Sequence, residues 1–322
     1  MGATAPRRVG YREGMPPTPA ETIAPGVRRV RVPMPSFSGL GFSNAYLIED
    51  AEGRLHVIDP GSPTAQARQT LRSAIADVPV ASIVLTHLHP DHAGGAAALA
   101  DATGAAVLLH ERERAALGLI AAGLPAPDLE EWGVPTERRP ELLAVAAMPT
   151  GPAAELVDAV ITGVLADDAV LDIPGRSIRV IGTPGHTDGH LCLHDAEAGL
   201  LVTGDHVLPT VNSGLGLGGP TASNPIADYL DSLDRVAQLD RDGLRALPGH
   251  EEPFTGLRER CAALAAHHLR RTDEVVAHPG GTVWETASTL TWTGGWDALA
   301  GATLLSALRQ TAQHREYAAR GA

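Results

Sequence analysis

Apolar and polar positions along the chain fall into two alternating rhythms. Short apolar runs of strand length recur, separated by stretches whose apolar residues repeat at helical spacing. NAYLIED (44–50) and RLHVIDPG (54–61) read as two paired strands closed by a turn around Glu52 and Gly53. A helix at about 64–77 follows, then ASIVLT (81–86) as a buried strand, a polar loop and a helix in AGGAAALADATG. AAVLLH (105–110), SIRVIG (177–182), HLCLHD (190–195), GLLVTGD (199–205) and LRALPGH (244–250) complete the strand set. NPIADYLDSLDRVAQL (224–239) is an amphipathic helix with an Asn cap.

Two segments break this rhythm. Residues 111–168 are rich in Ala, Pro and Glu with weak strand signals, and read as a helical insert over one face of the core. From 256 to 322 the chain reads as a small C-terminal helical module, and 27–255 as the main domain. Residues 1–26, with Pro, Gly and Arg and no apolar core, read as a flexible lead-in rather than a secretory signal. Trp284, Trp292 and Trp296 lie in the module, whose helices need a partner surface: the same chain, or a second copy in a homodimer.

Composition narrows the function. The 322 residues suffice for a full core, and no apolar run reaches the roughly 18 residues of a membrane helix. Only two cysteines occur, Cys192 and Cys261, without a motif, so the expected setting is reducing and cytoplasmic. The 25 basic residues are all arginine, which removes Schiff-base and phosphate-loop lysine chemistry. A net charge of −13 argues against nucleic acid as a partner and leaves a small molecule.

The polar loop after 81–86 carries the chemistry. THLHPDHAGG sets His87, His89, Asp91 and His92 within six positions. His87 and His89, two apart, point to the same side of an extended loop. Imidazole and carboxylate at this density suit a divalent transition metal. Three more signals sit at strand ends beside glycine: His186 in GTPGHTDGH, Asp205 in LLVTGDH and His250 in LPGHEEPF. Five histidines and two aspartates are enough for two metals. His190, His206 and Asn212 adjoin these motifs and are candidates for the substrate pocket, with NSGLGLGGP (212–220) and the insert as its walls.

The order HxHxDH, GHTxGH, GD and PGH resembles the metallo-β-lactamase superfamily of metallohydrolases over residues 30–255. The resemblance implies an α/β fold, a four-layer αβ/βα sandwich with a binuclear site at one edge. It implies that His87, His89 and His186 hold one metal and that Asp91, His92 and His250 hold the other, with Asp205 bridging. Asp59 in VIDPG matches an aspartate behind the metal histidines. The metals implied are two divalent ions, zinc first, with iron or manganese as alternatives. The reaction implied is hydrolysis of an ester, thioester or lactone-like carbonyl by a hydroxide held between the metals, with Asp91 moving the proton. Three other readings stay open within the resemblance: a phosphodiesterase or endoribonuclease, a mononuclear iron dioxygenase, and a non-catalytic binding relative.

Overall fold

Two β-sheets lie face to face, and helices cover their outer sides. The computed structural model describes residues 20–35, 41–121, 127–147, 158–219, 221, 223–241, 243–278 and 281–321. The larger sheet runs in chain order: β1 Glu21–Ala24, β2 Val27–Pro33, β3 Phe42–Glu49, β4 Leu55–Ile58, β5 Val80–Val84, β6 Ala106–His110 and β7 Ile161–Leu165. It is antiparallel from β1 to β4 and parallel from β4 to β7. The smaller sheet contains β8 Ile178–Gly182, β9 Leu191–Asp195, β10 Leu200–Gly204 and β11 Arg245–Pro248, in the order β11-β10-β9-β8. The helices are α1 Ala65–Ile75, α2 Pro90–Ala93, α3 Ala96–Thr103, α4 Glu111–Ala121, α5 Arg139–Ala146, α6 Pro225–Ala237, α7 Leu257–Ala277, α8 Val283–Thr289 and α9 Gly301–Ala319.

Residue type explains the layering. Every position of LHVI in β4 and LLVTG in β10 is buried, as strands covered on both faces require. Tyr46, Ile48, Ile58 and Val84 meet Val180, Leu193, Val202 and Leu247 between the sheets. Leu71 and Ile75 of α1 pack on Val57, Ile83 and Val107 outside the larger sheet. Tyr229 and Leu233 of α6 and Leu264 of α7 pack on Ile181, Cys192 and Leu201 outside the smaller one. The expected αβ/βα sandwich is the observed fold, with helices at its C-terminal end. Asn224 caps α6 as expected, accepting from the N–H groups of Ile226 and Ala227 at 3.0 and 3.3 Å.

Three expectations change. Glu21–Ala24, assigned to the lead-in, is an edge strand paired with β2. The 111–168 segment ends in a strand, β7, rather than a helix. Its inner part does not simply cover the sheet: Leu129, Val134 and Leu142 share a fourth core with Ala287, Leu304, Leu305 and Leu308. Trp284, Trp292 and Trp296 pack into that core within the same chain, Trp284 against Trp296 with ring centroids 5.0 Å apart. No helix among the described residues is long and apolar enough to cross a membrane.

The topology gathers strand ends. β4, β5 and β6 are parallel neighbours, and β8, β10 and β11 end on the matching side of the second sheet. Two bonds lock these edges together: Asn44 N–H donates to the Gly249 carbonyl at 2.7 Å, and Leu191 N–H to the Thr86 carbonyl at 3.0 Å.

Candidate metal centre

Each predicted residue leaves the end of one of these strands. His87, His89, Asp91 and His92 follow β5, His186 follows β8, Asp205 follows β10 and His250 follows β11. Loops at such edges are where open sheets present ligands. The backbone comes close: a Cβ on Gly249 would lie 2.4 Å from Asp205 Oδ1 and 2.6 Å from His92 Cε1, so only glycine fits before His250.

The structure brings all seven residues together. One ligand atom each from His87, His89, His186 and Asp205 lies within 4.8 Å of the others. Asp91, His92 and His250 form a second such group. Asp205 joins the two, with Oδ1 3.4 Å from His92 Nε2 and Oδ2 3.4 and 3.7 Å from the Nε2 atoms of His250 and His186.

Five imidazoles are oriented the same way. Each donates one ring N–H outward and turns its other nitrogen inward. His92 Nδ1 donates to Asp59 at 2.9 Å, His186 Nδ1 to the Gly214 carbonyl at 2.6 Å and His250 Nδ1 to the Phe42 carbonyl at 2.9 Å. His89 Nε2 faces the Leu217 carbonyl at 3.4 Å. The Thr86 hydroxyl spends its proton on Asp59 at 2.7 Å, so its oxygen accepts from His87 Nδ1 at 3.0 Å. The inward nitrogens then crowd one another. His87 Nε2 and His186 Nε2 lie 2.9 and 3.0 Å from His89 Nδ1, and His92 Nε2 lies 3.3 Å from His250 Nε2. Fixing the tautomer through the outer nitrogen is how proteins prepare imidazole for a metal.

Asp59 also lies within ligand range of His87 and His92. Both its oxygens are already engaged, Oδ1 by Thr86 N–H at 2.8 Å and Oδ2 by the Thr86 hydroxyl and His92. It stands behind the histidines, with φ at 51°, a left-handed conformation rare outside glycine and frequent at functional sites. Asp59→Asn is expected to weaken metal affinity about 10–100-fold, because the amide offers one acceptor oxygen where Thr86 and His92 use two. Competition against a chelator of known affinity measures this, and unchanged affinity would remove Asp59 from the design.

Electrostatics divides the seven. Burial pulls His87 and His186 below the ordinary imidazole range and His89 down to about 4. Burial acts on His92 and His250 too, but the Asp205 carboxylate beside them prevails. His92 is held well above the ordinary range and His250 is pushed up to about 10. Asp205 and Asp91 resist burial as well, held far below the carboxylate range chiefly by His250 and His92. In the metal-free protein this half of the site stores protons that a bound cation would displace.

The pocket residues read from sequence fare differently. His190 is fully buried, with Nδ1 on the Thr183 hydroxyl at 2.8 Å and Nε2 accepting Asp205 N–H at 3.2 Å. Through that bond it supports Asp205. His206 is also fully buried, against Tyr229 with ring centroids 4.9 Å apart. Asn212 is exposed, held by Arg260 at 3.2 Å. Two contributors escape a reading of the sequence, Thr86 and Glu113. Both adjoin a strand end at this edge, and position is their only signal.

The donor set fits a divalent metal. Five imidazole nitrogens and two carboxylates converge, and Asp205 Oδ1 is buried without a hydrogen-bond partner. Comparison with known proteins agrees. The family model of the metallo-beta-lactamase superfamily matches residues 38–250. A Bacillus subtilis (strain 168) protein named "Probable metallo-hydrolase YqjP" is 30% identical over 263 residues, covering 76% of this chain and 78% of its own. A hydroxyacylglutathione hydrolase of Albidiferax ferrireducens is 30% identical over 236 residues, covering 72% and 69%. The crystal structure of a metallo-beta-lactamase family protein, TTHA1429 from Thermus thermophilus, superposes with a TM-score of 0.67 at 30% identity, covering 93% of this chain and 95% of that one. The chain belongs to the metallo-β-lactamase superfamily.

Proposed function

We propose that this protein is a binuclear metallohydrolase of a small-molecule thioester, with esters and lactones as the adjoining substrate classes. The observation that carries the proposal is the pair of donor groups sharing Asp205, where partial exposure among the seven residues is confined to His89 and Asp91. His87, His92, His186, Asp205 and His250 are buried, while His89 and Asp91 are half-buried. His87, His89 and His186 would hold one metal, and Asp91, His92 and His250 the other. Bound there, divalent metals activate water and polarise a carbonyl oxygen.

The chain's own groups account for the rest. Substrate enters past His89 and Asp91. Leu217 and Val211, 40% and 38% exposed, give this approach an apolar surface. The Leu217 carbonyl lies 3.4 Å from His89, and Val211 N–H donates at 3.3 Å to Glu251, next to His250. Water adds to the carbonyl carbon, the carbon–sulfur bond breaks, and an acid and a thiol leave. Asp91, half-buried, takes the proton of the attacking water and passes it to sulfur. The likeness to a hydroxyacylglutathione hydrolase supports an acyl-sulfur substrate. The net charge of −13 weighs against a nucleic-acid backbone.

Metal analysis and a substrate panel test this reading. Purified protein is expected to contain about two transition metals per chain, as two-metal hydrolases do. Metal uptake by the stripped protein should release protons, because the Asp205 carboxylate holds His92 and His250 above the ordinary imidazole range. Thiol release from acyl thioesters should exceed turnover of phosphodiesters. A single iron per chain with oxygen consumption would replace this reading with the dioxygenase one. Cleavage of phosphodiesters alone would replace it with the nuclease one.

A further inference from the structure

Glu113 lies in the first turn of α4, directly after β6, and is 1% exposed. Its carboxylate is divided between two loops. Oε1 accepts the N–H of Leu88 at 3.0 Å, and Leu88 stands between His87 and His89. Oε2 accepts the N–H of Gly189 at 3.0 Å, and Gly189 follows His186 by three residues. The first loop leaves the larger sheet and the second joins β8 to β9 in the smaller one. One side chain therefore spans the sandwich at the level of the candidate metal centre.

The contact is built closely. A Cβ on Gly189 would lie 2.3 Å from the Glu113 backbone nitrogen, so the helix start seats on this loop only because the residue is glycine. The side chain is matched to its task. Two inward N–H donors need two acceptors, and a carboxylate supplies both, whereas Gln supplies one acceptor and one opposed donor. Burial makes this costly, pushing the carboxyl up to about 7. An apolar side chain would fill the same space without that cost and would leave both N–H groups unsatisfied.

We propose that Glu113 is a positioning residue for the His87, His89 and His186 half of the centre. By holding Leu88 and Gly189 it sets the separation of the HLH loop from the His186 loop. The proposal rests on the metal-centre reading above. It assigns no contact with substrate. It predicts an asymmetry: loss of Glu113 loosens one metal position and leaves the Asp91, His92 and His250 position intact.

Titration of the metal-free full chain with Co2+, read by its absorption spectrum, tests it. Wild type should show two uptake steps. In Glu113→Gln one step should weaken about 10–100-fold, the usual effect of losing a group that orients metal ligands, and the other should stay as in wild type. Glu113→Ala should weaken the same step further. A merely structural role would lower the melting temperature and affect both steps equally, and that result overturns the proposal. So do two steps of wild-type affinity in both variants. Absence of Co2+ uptake by the wild type would instead defeat the metal-centre reading itself. If the variants fail to fold, amide exchange in the wild type decides. The Leu88 and Gly189 amides should exchange slowly even without metal, and exchange as fast as that of exposed loop amides overturns the proposal.

Discussion

Asp205→Asn is expected to remove both metals. Asp205 is the carboxylate that joins the two donor groups, 3.4 Å from His92 and His250 and 3.7 Å from His186. A four-ligand zinc site binds with about 10–16 kcal/mol, so one ligand accounts for roughly 3 kcal/mol, or about 10²-fold. A shared ligand is lost twice, which makes the expected loss about 10⁴-fold for the two-metal state. The amide has the carboxylate's size, and the backbone N–H of Asp205 stays held by His190 at 3.2 Å, so the fold should persist. Dialysed Asp205→Asn should therefore contain little metal and show no turnover, while its circular dichroism matches the metal-free wild type. Two tightly held metals in this variant would mean that Asp205 is not shared and that the two donor groups act independently.

The sandwich is legible in the sequence because its strands obey simple rules. GLLVTGD, read as 199–205, is β10 at Leu200–Gly204, and SIRVIG, read as 177–182, is β8 at Ile178–Gly182. Both are apolar runs bounded by turn residues. VRRVRVP gives no such signal, although it forms the whole of β2. Its arginines obscure the pattern. Arg29 is buried because Glu21 and Glu252 neutralise it, the latter at 2.6 Å, and a partner 223 residues away is invisible in a local window. The partnership of α5 with α8 and α9 is hidden for a related reason. Apolar spacing shows that Leu142 or Trp284 needs a partner surface and does not show whose.

The candidate centre is more legible than the fold that carries it. Ligands of one metal must be of few residue types, and here they sit in short motifs at strand ends. Supporting residues follow no such rule. Glu113 acts through two backbone N–H groups, which have no sequence signature, and it stands in ERER among other charged residues. His190 and His206 are a third case. They adjoin the ligand motifs in sequence, and both are fully buried.

Asp91→Asn should separate metal binding from proton transfer. The Asp91 carboxylate is 22% exposed, with Oδ2 3.3 Å from His250 Nε2 and 3.7 Å from His92 Nε2. The Ser43 hydroxyl holds its backbone carbonyl at 2.7 Å, so the substitution leaves the loop in place. The amide keeps one oxygen facing the site but cannot accept a proton. The histidines beside Asp91 hold its carboxyl far below the usual range despite burial, so at neutral pH the wild type has that acceptor ready. Its loss is expected to lower kcat by about 10²-fold or more, the range for a missing general acid–base group. The Asp91, His92 and His250 position should bind its metal about 10²-fold more weakly, so kcat is compared at saturating metal. The loss should also depend on the leaving group. A thiol, with a pKa of about 8.5, departs with little help, whereas an alkoxide must be protonated as it leaves. Asp91→Asn should therefore penalise an alkyl ester more than the matching thioester. If kcat for both substrates stays at the wild-type value with two metals bound, Asp91 is a ligand alone and the proton takes another route.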